Sequence, residues 1–453
     1  MYFEYIHSEI IDDRIDAQFF TPEYIKSLKK INQFRIETLG NISRRIFDPP
    51  HTAPEFVDKS DFEMIMIENI TLNGIEGNFR AISETCHKDI FKNSHLEGNE
   101  LLVSRVGNSS GTFASVFPCY KGKNVSGNIS IIKLKDEIID KEYAFAYFNS
   151  NIGQNSIKRN IANTARKFLT ISKIREFQVP IPSPEIQKYI GDKVRKAEEL
   201  REEAKRLKKE AEEILNKELN LKDVEFYIKQ TNNKKYSWTE SIEIEDRIDS
   251  EFYKPKYRYL SKLNNMSELS YYYKISKKRI NKNIDRKIKY IDLSSVNNII
   301  EPSDFNTKEL PSRAQFLVKE GNLIISTLKG SNKISIIPEH LNDSVCSTGF
   351  IVIASKSHLT TEYLYLVFSN KVFNMQIERY STGSIMSGVN HDNFNKMLIP
   401  VISNKQIIDT ITNKIRKHFR LLYYSKQLIQ EAKQDVEDLI EGNFDMSKVK
   451  ANS

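Results

Sequence analysis

Apolar positions follow two different periods along this chain, and both occur twice in the same order. Short apolar runs bounded by Gly- and Asn-containing loops, at 62–70, 100–106 and 129–134 and again at 289–293, 322–327 and 350–354, predict buried strands. An aromatic stretch of helical character follows each set, KEYAFAYFNS from Lys141 and TEYLYLVFSN from Thr361. The period then changes to alternating steps of three and four. Ala197, Leu200, Ala204, Leu207, Ala211 and Ile214 mark a seam on a helix over 186–219, and Leu422, Ser425, Ile429, Ala432, Val436 and Leu439, preceded by Ile411 and Ile415, mark one over 403–442. The first helix would be about 50 Å long at the standard rise. Either each helix closes its own domain core, or the two pack on each other. The charged circumference of the first, with Glu198, Glu199, Arg201, Glu202, Lys205 and Arg206, favours a partner stripe.

The same doubling shows in the residues themselves. SEIIDDRIDAQFFTPEY at 8–24 returns as SIEIEDRIDSEFYKPKY at 241–257, so that Asp13, Arg14, Ile15, Asp16, Phe19, Pro22 and Tyr24 recur as Asp246, Arg247, Ile248, Asp249, Phe252, Pro255 and Tyr257. GNELLVSRVG at 98–107 is echoed by GNLIISTLKG at 321–330, and QVPIPSPEIQ from Gln178 by MLIPVISNKQ from Met397. A repeat this long implies domains rather than a solenoid. The expected division is a mixed α/β domain at 1–185, a spacer helix at 186–219, a second domain at 220–402, a C-terminal helix at 403–442 and a tail at 443–453. The repeated Asp-Arg-Ile-Asp segment is a docking strip, a helix cap or core packing.

The 453 residues can bury two cores, and a net charge of +8 admits a polyanionic partner without requiring one. Cys86, Cys119 and Cys346 have neither CxxC pairing nor zinc spacing and read as buried thiols in a reducing cytosol. The N-terminal residues have no signal-peptide pattern, and no apolar run is long enough to cross a bilayer, so a cytoplasmic protein is expected.

The loops after the apolar runs carry side chains suited to phosphates and base edges. These are Arg105, Asn108 and Ser109 in the first half, and Lys329, Ser331, Asn332 and Lys333 in the second. Asp48-Pro49-Pro50-His51 is similar to the loop with which amino-methyltransferases hold a flipped base. It follows Arg44-Arg45-Ile46-Phe47 rather than a buried apolar strand, and no glycine-rich cofactor turn precedes it. A loop ordered by two prolines is therefore preferred, with Arg44 and Arg45 as candidate DNA contacts. No GxxxxGK(S/T), HExxH or GxSxG is present. Glu203 near Lys205 and Glu431 near Lys433 read as exposed ion pairs on the long helices.

Taken in order, the doubled DRID…F…P…Y segment, the GN-x-L strand, the polar stretch before Ile-Pro and the helix entry after it resemble the specificity subunit of type I restriction-modification systems, from about Ser8 to Glu441. The resemblance implies two tandem mixed α/β target-recognition domains separated by long helices that pair as an antiparallel coiled coil, with pseudo-two-fold symmetry. It implies a non-catalytic subunit that binds double-stranded DNA at a bipartite, asymmetric site and docks two DNA adenine methyltransferase subunits, which restriction subunits (the translocase and nuclease) join. S-adenosylmethionine would belong to the partner methyltransferase, with no cofactor or metal in this chain. The resemblance adds Thr164, Arg166 and Lys167, and Ser381, Thr382, Ser384 and His391, as residues near DNA. The first copy has NTARK where the family is Gly-rich, and PVISNKQI lacks two of the prolines of PIPSPEIQ. A stand-alone or fused methyltransferase, and an adaptor or decoy that binds only protein, are the alternative readings.

Overall fold

The computed structural model describes residues 20–161, 168–221, 224, 231, 238–239, 244, 248–257, 260, 263–382 and 387–450. The chain divides into two compact units, Met1–Leu200 with Tyr424–Ser453, and Arg201–Tyr423. Both are mixed α/β.

In the first unit, α1 (Pro22–Ile31) precedes β1 (Ile36–Thr38), β2 (Ser43–Phe47), β3 (Glu63–Ile65), β4 (Ile70–Thr71), β5 (Gly74–Ile75), β6 (Arg80–Ala81), β7 (Leu101–Ser104), β8 (Phe113–Ser115), β9 (Asn124–Val125) and β10 (Ile129–Leu134). Then come α2 (Lys141–Asn149), α3 (Asn151–Ile161), α4 (Ile171–Arg175) and β11 (Gln178–Pro180). One sheet runs β2-β10-β7-β8, all antiparallel; a second runs β6-β3-β9 with β3 and β9 parallel. Every residue of β7 is buried, which is why it reads as an unbroken apolar run rather than an alternation. The expected strand at 62–70 is broken. Asn69, almost fully buried, accepts from Met66 N at 2.9 Å and donates to the carbonyls of Glu76 and Asn78, turning the chain between β3 and β4.

The second unit repeats the plan with β12 (Met266–Glu268), β13 (Tyr273–Ile275), β14 (Lys287–Ile291), β15 (Ser303–Asn306), β16 (Ala314–Leu317), β17 (Leu323–Ser326), β18 (Ile334–Ile336), β19 (Val345–Ser347) and β20 (Phe350–Ser355). There follow α6 (Thr361–Ser369), α7 (Lys371–Tyr380), α8 (His391–Asn395) and β21 (Leu398–Pro400). Its sheets run β13-β20-β17-β18 and β15-β14-β19-β16, again with one parallel pair, β14 with β19. β12 pairs with β21 as β1 pairs with β11. The aromatic helices are capped by Asp140 in α2 and Thr360 in α6, whose side chains accept first-turn N–H groups.

Two long helices, α5 (Pro184–Glu218) and α9 (Lys405–Glu441), are divided between the units. Within the first unit Lys193 pairs with Asp435 at 2.5 Å and Tyr189 meets the Phe444 ring at 5.9 Å. Within the second, Lys417 pairs with Glu203 at 2.6 Å and Lys414 with Glu210 at 2.5 Å. As α5 ascends α9 descends, so the pairing is antiparallel in each unit. Glu203 and Glu431 reach the facing helix, Glu203 meeting Lys417 at 2.6 Å and Glu431 meeting Lys193 at 3.7 Å. The seam also closes a core: Ala211 and Leu215 pack with Ile408, Ile411, Ile415 and Phe419 and with Tyr363, Leu364 and Phe368 of α6. Leu215 is buried where Ile214 was expected, and Ile440 where Leu439 was. A 3.6-residue turn drifts against a strict heptad, so a step of four keeps the stripe facing inward.

Cys86 and Cys346 are buried as expected, but Cys119, in the one-turn helix Pro118–Tyr120, is exposed. Among the described residues, no helix is long and apolar enough to cross a membrane.

Candidate nucleic-acid interface

In each unit the turn after the central strand meets the chain that enters the short helix α4 or α8. The turn after β7 contains Gly107 at φ +72°, and the turn after β17 contains Gly330 at φ +79°, left-handed conformations in which glycine has no Cβ penalty. In the first unit Val106 bridges to Phe168, and Leu169 N donates to the Arg105 carbonyl at 2.9 Å. In the second, Leu328 bridges to Gly388, Lys329 N donates to the Ser387 carbonyl at 3.0 Å, and Val389 N to the Thr327 carbonyl at 3.0 Å. The loop behind the central strand is thereby stitched to the chain that enters α4 or α8.

The side chains at these junctions differ. Arg105 is buried: its Nε donates to the Leu169 carbonyl at 2.9 Å, its guanidinium lies over the Phe168 ring and pairs with Asp48. A guanidinium so committed holds the two loops together and is not available to a base edge, contrary to its expected role. Asn108 is exposed at the loop tip, and Ser109 lies 3.1 Å from the Ser104 hydroxyl. Thr164, Arg166 and Lys167 lie outside the described residues. Arg44 and Arg45 are exposed on β2, Arg44 paired with Glu137 at 2.8 Å and Arg45 stacked over Phe47 at 4.2 Å.

Asp48 explains the Asp-Pro-Pro-His loop. Its carboxylate accepts from the Ser130 hydroxyl at 2.6 Å as well as from Arg105. The loop lies so close to Gly127 that a Cβ there would stand 2.6 Å from the Pro50 carbonyl oxygen. The carboxylate serves the loop's own order, and proline spacing alone could not have revealed its partner Arg105, 57 residues away.

In the second unit Lys329 and Asn332 are exposed, Ser331 is half-buried, and Lys333 donates to Asn297 at 2.6 Å. Ser381 donates to the Ile377 carbonyl at 2.5 Å, and Thr382 exchanges two backbone hydrogen bonds with Gly388. Ser384 lies outside the described residues. His391 begins α8 with its ring 6.1 Å from that of Phe316; burial, and then the nearby charge of Lys277, lower its pKa. Lys329, Ser381, Thr382 and Ser387 line a cleft of about 340 Å³ together with Asp249, Glu251 and Tyr257 of the repeated segment. Asp249 accepts from Phe252 N at 3.1 Å, a turn cap, while Phe252 and Tyr257 are buried. Asp13, Arg14, Ile15, Asp16 and Phe19 of the first copy, and Asp246 and Arg247 of the second, lie outside the described residues.

Residues 29–213 match the family model of the type I restriction modification DNA specificity domain. The matched segment takes in β1 to β11 and most of α5. Among solved structures, the chain is similar to the S subunit of a type I system from M. genitalium, at 13% identity over 91% of this chain and 96% of that one, with a TM-score of 0.42. It is also similar to the HsdS subunit of Thermoanaerobacter tengcongensis, at 12% identity over 91% of this chain and 97% of that one, TM-score 0.30. A chain from a study of complex assembly and conformational transition in the type I system matches at 13% identity over 91% and 98%, TM-score 0.30. No curated protein matches.

Proposed function

We propose that this chain is a non-catalytic recognition subunit whose two units each read one half of a bipartite, asymmetric DNA site. It would work in the cytoplasm, docking two DNA adenine methyltransferase subunits that bring their own S-adenosylmethionine and are joined by restriction subunits. The observation that carries the reading is the stitched loop pair that recurs in both units with different side chains. Asn108 and Ser109 stand in one, held by the buried Arg105, and Lys329, Ser331, Asn332 and Lys333 in the other. Equal scaffolds with unequal tips suit two unlike half-sites, because base edges are read by tip side chains and phosphates by the frame that carries them. The engagement of Asp48 with Arg105 and Ser130 weighs against a methyltransferase loop in this chain.

The experiment is methylome sequencing of the host with and without the gene. Loss of one bipartite adenine-methylation motif on deletion is the expected result. An unchanged methylome in a host that expresses the methyltransferase would overturn the reading. Methyl transfer to DNA by the isolated chain from labelled S-adenosylmethionine would sink the non-catalytic assignment.

A further inference from the structure

One connection in the second unit carries charge that the unit does not neutralise. Residues 274–289, from β13 into β14, hold eight lysines and arginines against one acid, Asp285, which pairs with Lys308 at 3.1 Å. Lys277, Lys278, Arg279, Arg286 and Lys287 are exposed, and among the described residues none makes an ion pair. On α5, by contrast, Lys188, Lys196 and Arg206 each hold a carboxylate, at 2.7, 2.9 and 2.7 Å. Like charges gathered without counter-charge repel one another, and a polyanion relieves that repulsion.

The backbone beneath these cations is ordered. Lys278 and Ile280 hydrogen-bond the edge of β16, through Leu317 N to the Lys278 carbonyl at 2.8 Å and Ile280 N to the Gln315 carbonyl at 2.9 Å. Thr307, fully buried, donates its hydroxyl to the Ile284 carbonyl at 2.6 Å and accepts from Arg286 N at 3.1 Å. On β14, Lys287 points outward while Ile288 and Tyr290 are buried. The charges also converge. The Asp343 carboxyl lies below its usual range, first through its hydrogen bond to Lys319 and further through the charges of Lys278 and Arg286. At its other end the strip approaches the recognition loops, where Lys277 acts on His391. The corresponding connection of the first unit differs: between β2 and β3, residues 48–62 carry Asp48, Glu55, Asp58 and Asp61 with one lysine, Lys59.

We propose that the connection between β13 and β14 is a clamp on the phosphates of duplex DNA, built into the second unit and lacking in the first. The inference rests on the DNA-recognition reading and assigns most of the electrostatic grip to one half-site. Residues 274–289 contain no aromatic side chain on which an unpaired base could stack, which favours a duplex over a single strand. Each phosphate contact releases condensed counterions, so the logarithm of the affinity falls with the logarithm of salt at about 0.9 per contact.

The test measures binding of the full chain to a fluorescein-labelled duplex of mixed sequence by anisotropy across a series of KCl concentrations. Three variants are compared with the wild type: Lys277→Ala/Lys278→Ala/Arg279→Ala, Arg286→Ala/Lys287→Ala, and a control on α5, Lys196→Ala/Lys205→Ala/Arg206→Ala. The clamp triple should flatten the salt slope by about 2–3 and the clamp pair by about 1–2, with the control unchanged. The conservative Arg286→Lys/Lys287→Arg should keep the wild-type slope, and far-UV melting establishes that each variant is folded. If the wild type binds with a steep slope and both clamp variants match it, the clamp falls while the recognition reading stands. If the wild type binds no duplex at any salt concentration, the recognition reading falls and takes the clamp with it.

Discussion

The hydroxyl of Tyr143 donates to the carbonyl of Pro180 at 2.9 Å, and 220 residues later that of Tyr363 donates to the carbonyl of Pro400 at the same distance. In both units this bond joins the aromatic helix to the strand that precedes the long helix. Both rings are fully buried, and burial pushes both phenols above their usual range, so each stays a donor. Tyr143→Phe and Tyr363→Phe should each cost about 1–2 kcal/mol, because each leaves a proline carbonyl without its phenol donor. Urea unfolding monitored by circular dichroism checks this; a change within error in either variant would contradict it.

Asp48→Ala strands the guanidinium of Arg105, whose side chain is only 5% exposed, without its carboxylate. A loss of about 3 kcal/mol is expected, the cost of a buried charge left unpaired. Adding Arg105→Met to Asp48→Ala should recover part of it, and a double-mutant cycle measured by denaturant titration checks that sign.

His418 faces the Ala204 carbonyl from α9, its Nδ1 2.8 Å away, and burial lowers its pKa to about 4 with the charge of Lys208 adding to the effect. An unfolded imidazole titrates near 6.5. The unfolded chain therefore takes up this proton first. Stability from this residue is whole above about pH 6.5 and declines as pH falls towards 4, by on the order of 3 kcal/mol in total. Unfolding free energies of wild type and His418→Gln, followed from neutral pH to about 4.5, should converge as the pH falls. Parallel curves would refute the assignment.

Ser425 occupies a seam position of α9 with no exposed surface, and its hydroxyl has no hydrogen-bond partner among the described residues. Ser425→Ala should raise stability by about 1 kcal/mol, since it removes an unsatisfied polar atom at little loss of volume. A thermal melt of the variant that shifts downward would show that the hydroxyl finds a partner in solution.

Much of the architecture was legible because repetition and period are local properties. The order of strands, aromatic helix, Ile-Pro strand and long helix could be read twice, since alternation and three-four spacing depend only on neighbours in the chain. The strands at 129–134 and 350–354 were read nearly to the residue. The run at 62–70 was not, because Asn69 turns it through bonds to Glu76 and Asn78 that no periodicity records. The basic run at 274–289 was open to view as composition. What composition lacked was the fact that Lys277, Lys278, Arg279, Arg286 and Lys287 are exposed without an ion pair among the described residues, while Lys188, Lys196 and Arg206 of α5 each hold a carboxylate.

The sequence by itself determined the duplication, the alternation of α and β, the two seams and the loops in which recognition side chains stand. Only the tertiary structure decided which of those side chains are free to act. Arg105 and Asn108 are three residues apart on one loop, yet one is consumed by Asp48 and Leu169 and the other stands in solvent. The physical reason is that burial and pairing depend on groups brought in from 57 and 64 residues away, and such contacts leave no period in the chain.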